Sequence, residues 1–170
     1  MSQDFYLGNP NLKKVGTDIN FTQDQVQEYL KCKEDPVYFA MNYIKIISLD
    51  EGIVPFKMWD FQQELIESFH EHRFNIAKLP RQTGKSTTCV SYLLHYILFN
   101  DNVNVGILAN KLSTARDLLS RLQLAYEQLP LWIQQGIVVY NKGSMELENG
   151  SKILAASTSA SAVRGMSFNI

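Results

Sequence analysis

The sequence predicts an α/β protein built on a parallel, doubly wound sheet. Two observations carry that prediction. From residue 74 onward, apolar strand-like stretches alternate with helical ones in the order strand, loop, helix, strand, helix, the order that parallel sheets with covering helices require. The 170 residues are also 45% hydrophobic and 19% charged, enough apolar material for a core and too much for a disordered or low-complexity chain.

The elements follow in chain order. Residues 1–21 are polar and carry Gly8, Pro10 and Gly16, which suits an extended lead-in. Thr22 opens a helix, with Gln25 at capping-box spacing, that runs to about Lys33. Asp35 and Pro36 start a second helix, Asp35 as N-cap and Pro36 in the first turn, with Val37, Ala40, Met41 and Ile44 as its apolar stripe. Gly52 and Pro55 mark a loop. Residues 59–73 are a third helix, with Phe61, Leu65, Ile66 and Phe69 at helical spacing. Residues 74–79 then read as a strand, 80–84 as a tight loop and 85–99 as a helix. Residues 103–109 are an apolar strand, and Ser113 caps a helix to about Leu129. Strands are expected over 136–140, 144–147 and 152–156, the last two joined through Asn149-Gly150, a strong hairpin signal. Residues 166–170 begin one more apolar stretch.

Several function classes are excluded by composition. With 16 Lys and Arg against 17 Asp and Glu, the chain lacks the positive excess of a stand-alone nucleic-acid binder, so any nucleic-acid contact is local or shared. Cys32 and Cys89 form no metal-ligand spacing and are expected to be buried, reduced thiols. Residues 1–10 carry Asp4 and no apolar core, and no apolar run approaches membrane length, so a soluble intracellular protein is expected. The pair His70 and His72, two apart on a helix, points to different faces and makes no metal site; His95 is read as a helix-packing residue.

The chemistry concentrates in Leu79-Pro80-Arg81-Gln82-Thr83-Gly84-Lys85-Ser86, between an expected strand and the start of a helix. A phosphate-binding loop needs these residue types. Gly84 lets backbone approach phosphate, and the N–H groups of residues 82–87 (Gln82, Thr83, Gly84, Lys85, Ser86, Thr87) lie where a helix N-terminus favours an anion. Lys85 supplies a charge to the β and γ phosphates, and Ser86 a hydroxyl to Mg²⁺. Leu79 stands where the full motif has its first glycine, so this is the relaxed form. Arg81 is either a cation for charge developing on the γ-phosphoryl group or a solvated, paired loop arginine. Gln62, within Trp59-Asp60-Phe61-Gln62, has the amide that reads an adenine edge, although the aromatics beside it equally suit a core. The stretch 157–165, with Arg164 and Gly165, follows a strand's carboxyl end, where it either meets phosphate or a neighbouring subunit or is a surface loop.

Taken together, these residues resemble the large terminase subunit of tailed bacteriophages, the T-even type in particular. The pieces that carry the resemblance are Trp59-Asp60-Phe61-Gln62, the 79–86 loop, Val105-Gly106-Ile107-Leu108-Ala109, Gly136-Ile137-Val138, Asn141-Lys142-Gly143-Ser144 and Ala162-Val163-Arg164-Gly165. That resemblance implies an RecA-like P-loop NTPase core of the ASCE kind: an ATPase, using ATP and Mg²⁺, that drives double-stranded DNA into a procapsid. It implies a lead-in and helical segment over 1–58 and a partial ATPase core over 59–170. It gives Gln62 the adenine, Lys85 the phosphates and Ser86 the Mg²⁺; it makes Arg81 a finger in cis and Arg164 one acting in trans on a ring neighbour. A portal protein, a small terminase subunit and ring self-association are the implied partners, and the host cytoplasm the implied location. In that family the Walker B acid and catalytic glutamate stand about ten residues beyond Arg164, and an RNase H-like nuclease domain follows. The chain is therefore expected to be a piece that ends before Walker B and does not turn over ATP efficiently. A superfamily-2 helicase-like ATPase and a non-catalytic interaction fragment are the alternative readings.

Overall fold

The computed structural model describes residues 5–48, 50–158 and 165–170. After a short 3₁₀ turn, Tyr6–Gly8, the helices are α1 (Gln23–Glu34), α2 (Pro36–Tyr43), α3 (Asp60–Glu71), α4 (Lys85–Phe99) and α5 (Leu112–Glu127). The strands are β1 (Lys45–Ser48), β2 (Gly52–Pro55), β3 (Asn104–Ala109), β4 (Ile137–Tyr140), β5 (Ser144–Leu147) and β6 (Lys152–Ser157). The chain is thus a mixed α/β protein, and among the described residues no helix is long and apolar enough to cross a membrane.

Local signals account for most of these elements. At α1, Thr22 and Gln25 close a reciprocal capping box, Thr22 Oγ1 accepting from Gln25 N–H and Gln25 Oε1 from Thr22 N–H. At α2 the Asp35 carboxylate accepts from Val37 and Tyr38 N–H, with Pro36 in the first turn. By contrast Ser113 lies inside α5, whose N-cap is Lys111 with no side-chain cap.

The sheet departs from the expected doubly wound, parallel form. Its order is β3-β6-β5-β4, and only β3 and β6 run parallel; β6, β5 and β4 form an antiparallel meander. The reason is the Asn149-Gly150 turn, with Gly150 at φ 79°, which folds β6 straight back on β5. A second departure is the β1–β2 hairpin, which occupies the stretch expected to be loop.

The third departure matters most for function. Residues 74–79 belong to no strand and pair with none among the described residues. Phe74 is 83% exposed and Ile76 fully so. One edge of β3 is taken by β6. Along the other edge, Gly106 N–H donates to Ile170 O (2.8 Å) and Ile170 N–H to Asn104 O (3.4 Å). One residue bonded to both neighbours of Val105 is the pattern of a parallel pair. Asn75, meanwhile, turns back on the end of α3: its amide donates to His72 O (2.8 Å) and Ser68 Oγ donates to its Oδ1 (2.6 Å). Such local bonds compete with a ladder.

A single core of buried side chains runs from Leu12 through Phe39, Ile66, Leu94 and Leu119 to Ile153, so both sides of the 58/59 boundary share it. Val105, Ile107, Met145, Ile153 and Ala155 supply the sheet's contribution, and α5 packs on β3 and β6. Gln134 and Glu148 pin the lead-in to this frame. Gln134 accepts from Lys13 N–H (3.0 Å) and donates to Asn11 O (3.0 Å) and Leu129 O (2.9 Å). Glu148 accepts from Gly136 N–H (2.6 Å), Gly16 N–H (3.1 Å) and Lys13 Nζ (3.3 Å).

Candidate functional site

The loop 80–84 crosses from the exposed stretch 74–79 to the first turn of α4. Gly84 is the N-cap of α4 at φ 71°, and Gln82 is also left-handed at φ 62°. Two left-handed residues around Thr83 bend the loop back over its own start. Thr83 Oγ1 donates to Pro80 O (3.1 Å), and Lys85 Nζ donates to the same oxygen (3.0 Å). The lysine thus lies curled into the loop while still exposed, the position from which an ammonium can move onto an anion seated there. No side chain among the described residues caps α4. Its first N–H groups have no intrahelical acceptor and are open to an incoming oxygen. Ser86 and Thr87 are half-buried in the first turn, and Arg81 is exposed with no ion pair among the described residues.

Gln62 comes to the loop by a route the sequence did not suggest. It sits in the first turn of α3 and is 3% exposed. Its Oε1 accepts from Trp59 N–H (3.0 Å), and its Nε2 donates to Thr83 O (3.2 Å). Trp59 and Phe61, tilted against each other at 5.6 Å between ring centres, lie beside it, Trp59 largely exposed.

The structure therefore gathers Gln62, Arg81, Gln82, Thr83, Gly84, Lys85, Ser86 and Thr87 at the amino end of α4. Thr158 N–H donates to Ala109 O (3.0 Å) and closes the carboxyl ends of β3 and β6. Arg164 lies outside the described residues. Two features escaped the sequence reading: the Pro80 carbonyl as a shared acceptor, and Gln62 as a bond to the loop. The first had no side-chain signal. For the second, Gln62 standing three residues after Trp59, at capping-box spacing, announced the bond to Trp59 N–H but not the one to Thr83 O.

Asp60 stands in the first turn of α3, two residues before Gln62, while three other carboxylates are distant or engaged. Asp101 follows the far end of α4, about 22 Å along a 15-residue helix. Glu146 pairs with Lys152 (3.1 Å), and Glu148 is committed to the lead-in. The loop's donors suit a polyphosphate, and Ser86 alone among the nominated residues suits its Mg²⁺. No cluster of three or more His, Cys, Asp or Glu placed to hold a metal occurs among the described residues.

The remaining perturbed groups are structural. His95 is buried, with Nε2 2.8 Å from Cys32 O and Nδ1 without a partner among the described residues. Burial pushes its pKa down to about 4, so the ring is neutral. Burial likewise raises the Cys32 thiol to about 12, leaving it unreactive, and raises Cys89. No protein-family model matches the chain.

Proposed function

We propose that this chain is the nucleotide-binding part of a DNA-packaging ATPase of the large-terminase kind. The observation that supports this best is the 80–86 loop itself: an uncapped helix N-terminus preceded by a left-handed Gly84, with Lys85 held inside the loop on a backbone carbonyl. A surface lysine at an ordinary helix start has no reason to curl back on the loop before it, nor does such a helix need two left-handed residues among the three that precede it.

Bound ATP with Mg²⁺ supplies the phosphoryl group and the metal charge. The chain's own residues do the rest. Lys85 exchanges the Pro80 carbonyl for phosphate oxygens, the open N–H groups of the first turn of α4 surround them, and Ser86 offers its hydroxyl to the metal. Arg81, exposed beside them and without an ion pair among the described residues, is free to approach charge on the terminal phosphate. Translocation of double-stranded DNA, with a portal, a small subunit and a ring of copies, belongs to the whole motor that this reading implies.

Calorimetric titration of ATP with Mg²⁺ into the chain, and into Lys85→Ala, tests the assignment. Loss of one charge-assisted contact is worth roughly 1.5–3 kcal/mol, so affinity should fall about 10- to 100-fold. Equal affinity in the two proteins would remove the phosphate-loop reading.

A further inference from the structure

Gln62 was nominated by sequence as the group that reads the base. Its surroundings give it a different task. At 3% exposure it presents almost no surface to a ligand. Both functional atoms of its amide are engaged, Oε1 with Trp59 N–H and Nε2 with Thr83 O. Thr83 is the residue between the two left-handed positions of the loop. Moreover, a Cβ placed on Gly84 would lie 2.5 Å from Gln62 Nε2. Glycine is therefore required at 84 twice over, by its φ of 71° and by the amide packed against it. A side chain on α3 thus clamps the bend that aims the N-terminus of α4.

We infer that Gln62 is a positioning residue that holds the phosphate loop in its bent form, so that it governs binding of the triphosphate and not the choice of base. The role rests on the nucleotide reading only for its consequence; the clamp itself is a property of the unliganded loop. Gln62→Glu isolates it. A carboxylate still accepts from Trp59 N–H, so the start of α3 keeps its cap, but it has no donor for the Thr83 carbonyl and sets a negative charge beside it.

The test combines two measurements on the full chain. Loop exchange is read at the amide of Thr88, whose N–H donates to Gly84 O (3.0 Å): it should accelerate tenfold or more in Gln62→Glu, while the second half of α4 exchanges as in the wild type. Affinities for ATP, GTP and inorganic tripolyphosphate, each with Mg²⁺, should fall by one common factor of about tenfold, the effect of one lost hydrogen bond. Unchanged exchange in the loop overturns the inference. So does a variant that alters the ratio of ATP to GTP affinity and spares tripolyphosphate, because that is the behaviour of a base reader. If the wild type binds none of the three ligands but its loop exchange responds to Gln62→Glu, the clamp stands and the nucleotide reading fails. Should Gln62→Glu not fold, Gly84→Ala examines the same contact from the exposed side. Its effect on loop exchange should shrink when Gln62→Ala is added, since the clash is then relieved, and strict additivity would overturn the coupling.

Discussion

The two ends of α4 are built in opposite ways. At the carboxyl end, Asn149 Nδ2 donates to Ile97 O (2.9 Å) and Asn100 O (3.0 Å), Gln135 Nε2 donates to Leu98 O (3.2 Å), and Ser151 Oγ donates to Asn100 O (2.5 Å). Three separate side chains satisfy what a helix end leaves open. At the amino end no side chain among the described residues caps the helix, Gly84, Lys85 and Arg81 are exposed, and the amide of Gln62 reaches the loop. One helix thus separates what holds the fold from what stays available to a ligand. Substitutions at the carboxyl end and in the frame behind it should cost stability; substitutions at the amino end should cost binding.

The largest loss of stability is expected from Gln134→Ala in that frame. Its amide serves Lys13 N–H, Asn11 O and Leu129 O, with Tyr126 O a further acceptor at 3.3 Å. Tyr126 O keeps its bond from Leu129 N–H, so at roughly 1 kcal/mol for each of the three backbone groups left without this partner the variant should lose about 3 kcal/mol or more, read from the urea midpoint. A loss below 1 kcal/mol would mean that water replaces the amide and that the frame is looser than its bonding suggests.

Acid titration reaches the same frame through His95. In the unfolded chain the imidazole takes up a proton near 6.5; in the folded chain burial delays this to about 4. The unfolded state binds more protons between these values, so stability is full above 6.5 and falls as pH drops towards 4. Two and a half pH units correspond to about 3 kcal/mol. Phe39, Tyr92 and Phe99 surround the ring, so His95→Phe should fit there and flatten stability across that window. A slope that survives the substitution would assign the acid sensitivity to another group.

How much of this was legible beforehand depended on whether the cause was local. The α1 and α2 caps, the Asn149-Gly150 turn and the start of α4 at Lys85 are decided within a few residues, and the sequence announced each. The β1–β2 hairpin was missed because Gly52 and Pro55 were read as punctuation, although Ile46-Ile47 and Ile53-Val54 are β-branched pairs on either side of the turn. Residues 74–79 have strand composition, but a strand also needs a partner edge, and no stretch states in its own letters where that edge lies. The candidate site shows the same limit. Lys85 and Gly84 announced themselves by motif, whereas the task of Gln62 depends on Thr83 lying within 3.2 Å across a gap of 21 residues.

Glu148 offers a smaller perturbation of the frame. Burial works to raise its carboxyl, but N–H donors from Gly136 and Gly16 and the Lys13 ammonium outweigh it and hold the group below its ordinary value. Its contribution is present above the unfolded carboxyl value of 4.5 and is lost as pH falls through the lower folded value. The partners of Glu148 are Lys13, Gly16 and Gly136, none of them in the 80–86 loop, so Glu148→Gln should cost about 1–2 kcal/mol near neutral pH and leave ATP affinity alone. A change in affinity would show that the two regions are coupled through the sheet.

The smallest expected effect is the sharpest test of the contrast. Lys85→Ala removes one bond, from an exposed ammonium to a carbonyl that Thr83 Oγ1 also serves. Arg81→Ala removes an exposed side chain with no ion pair among the described residues. Neither leaves a buried polar group without a partner, so each should stay within about 0.5 kcal/mol of the wild type in urea unfolding. Removing Lys85 also relieves the opposition between a cation at a helix N-terminus and the helix dipole, which offsets the lost bond. That small or favourable change, beside a 10- to 100-fold loss of ATP affinity in the same protein, is what a residue kept for a ligand should give. Destabilisation of 2 kcal/mol or more by either variant would instead make the loop part of the frame and erase the difference between the two ends of α4.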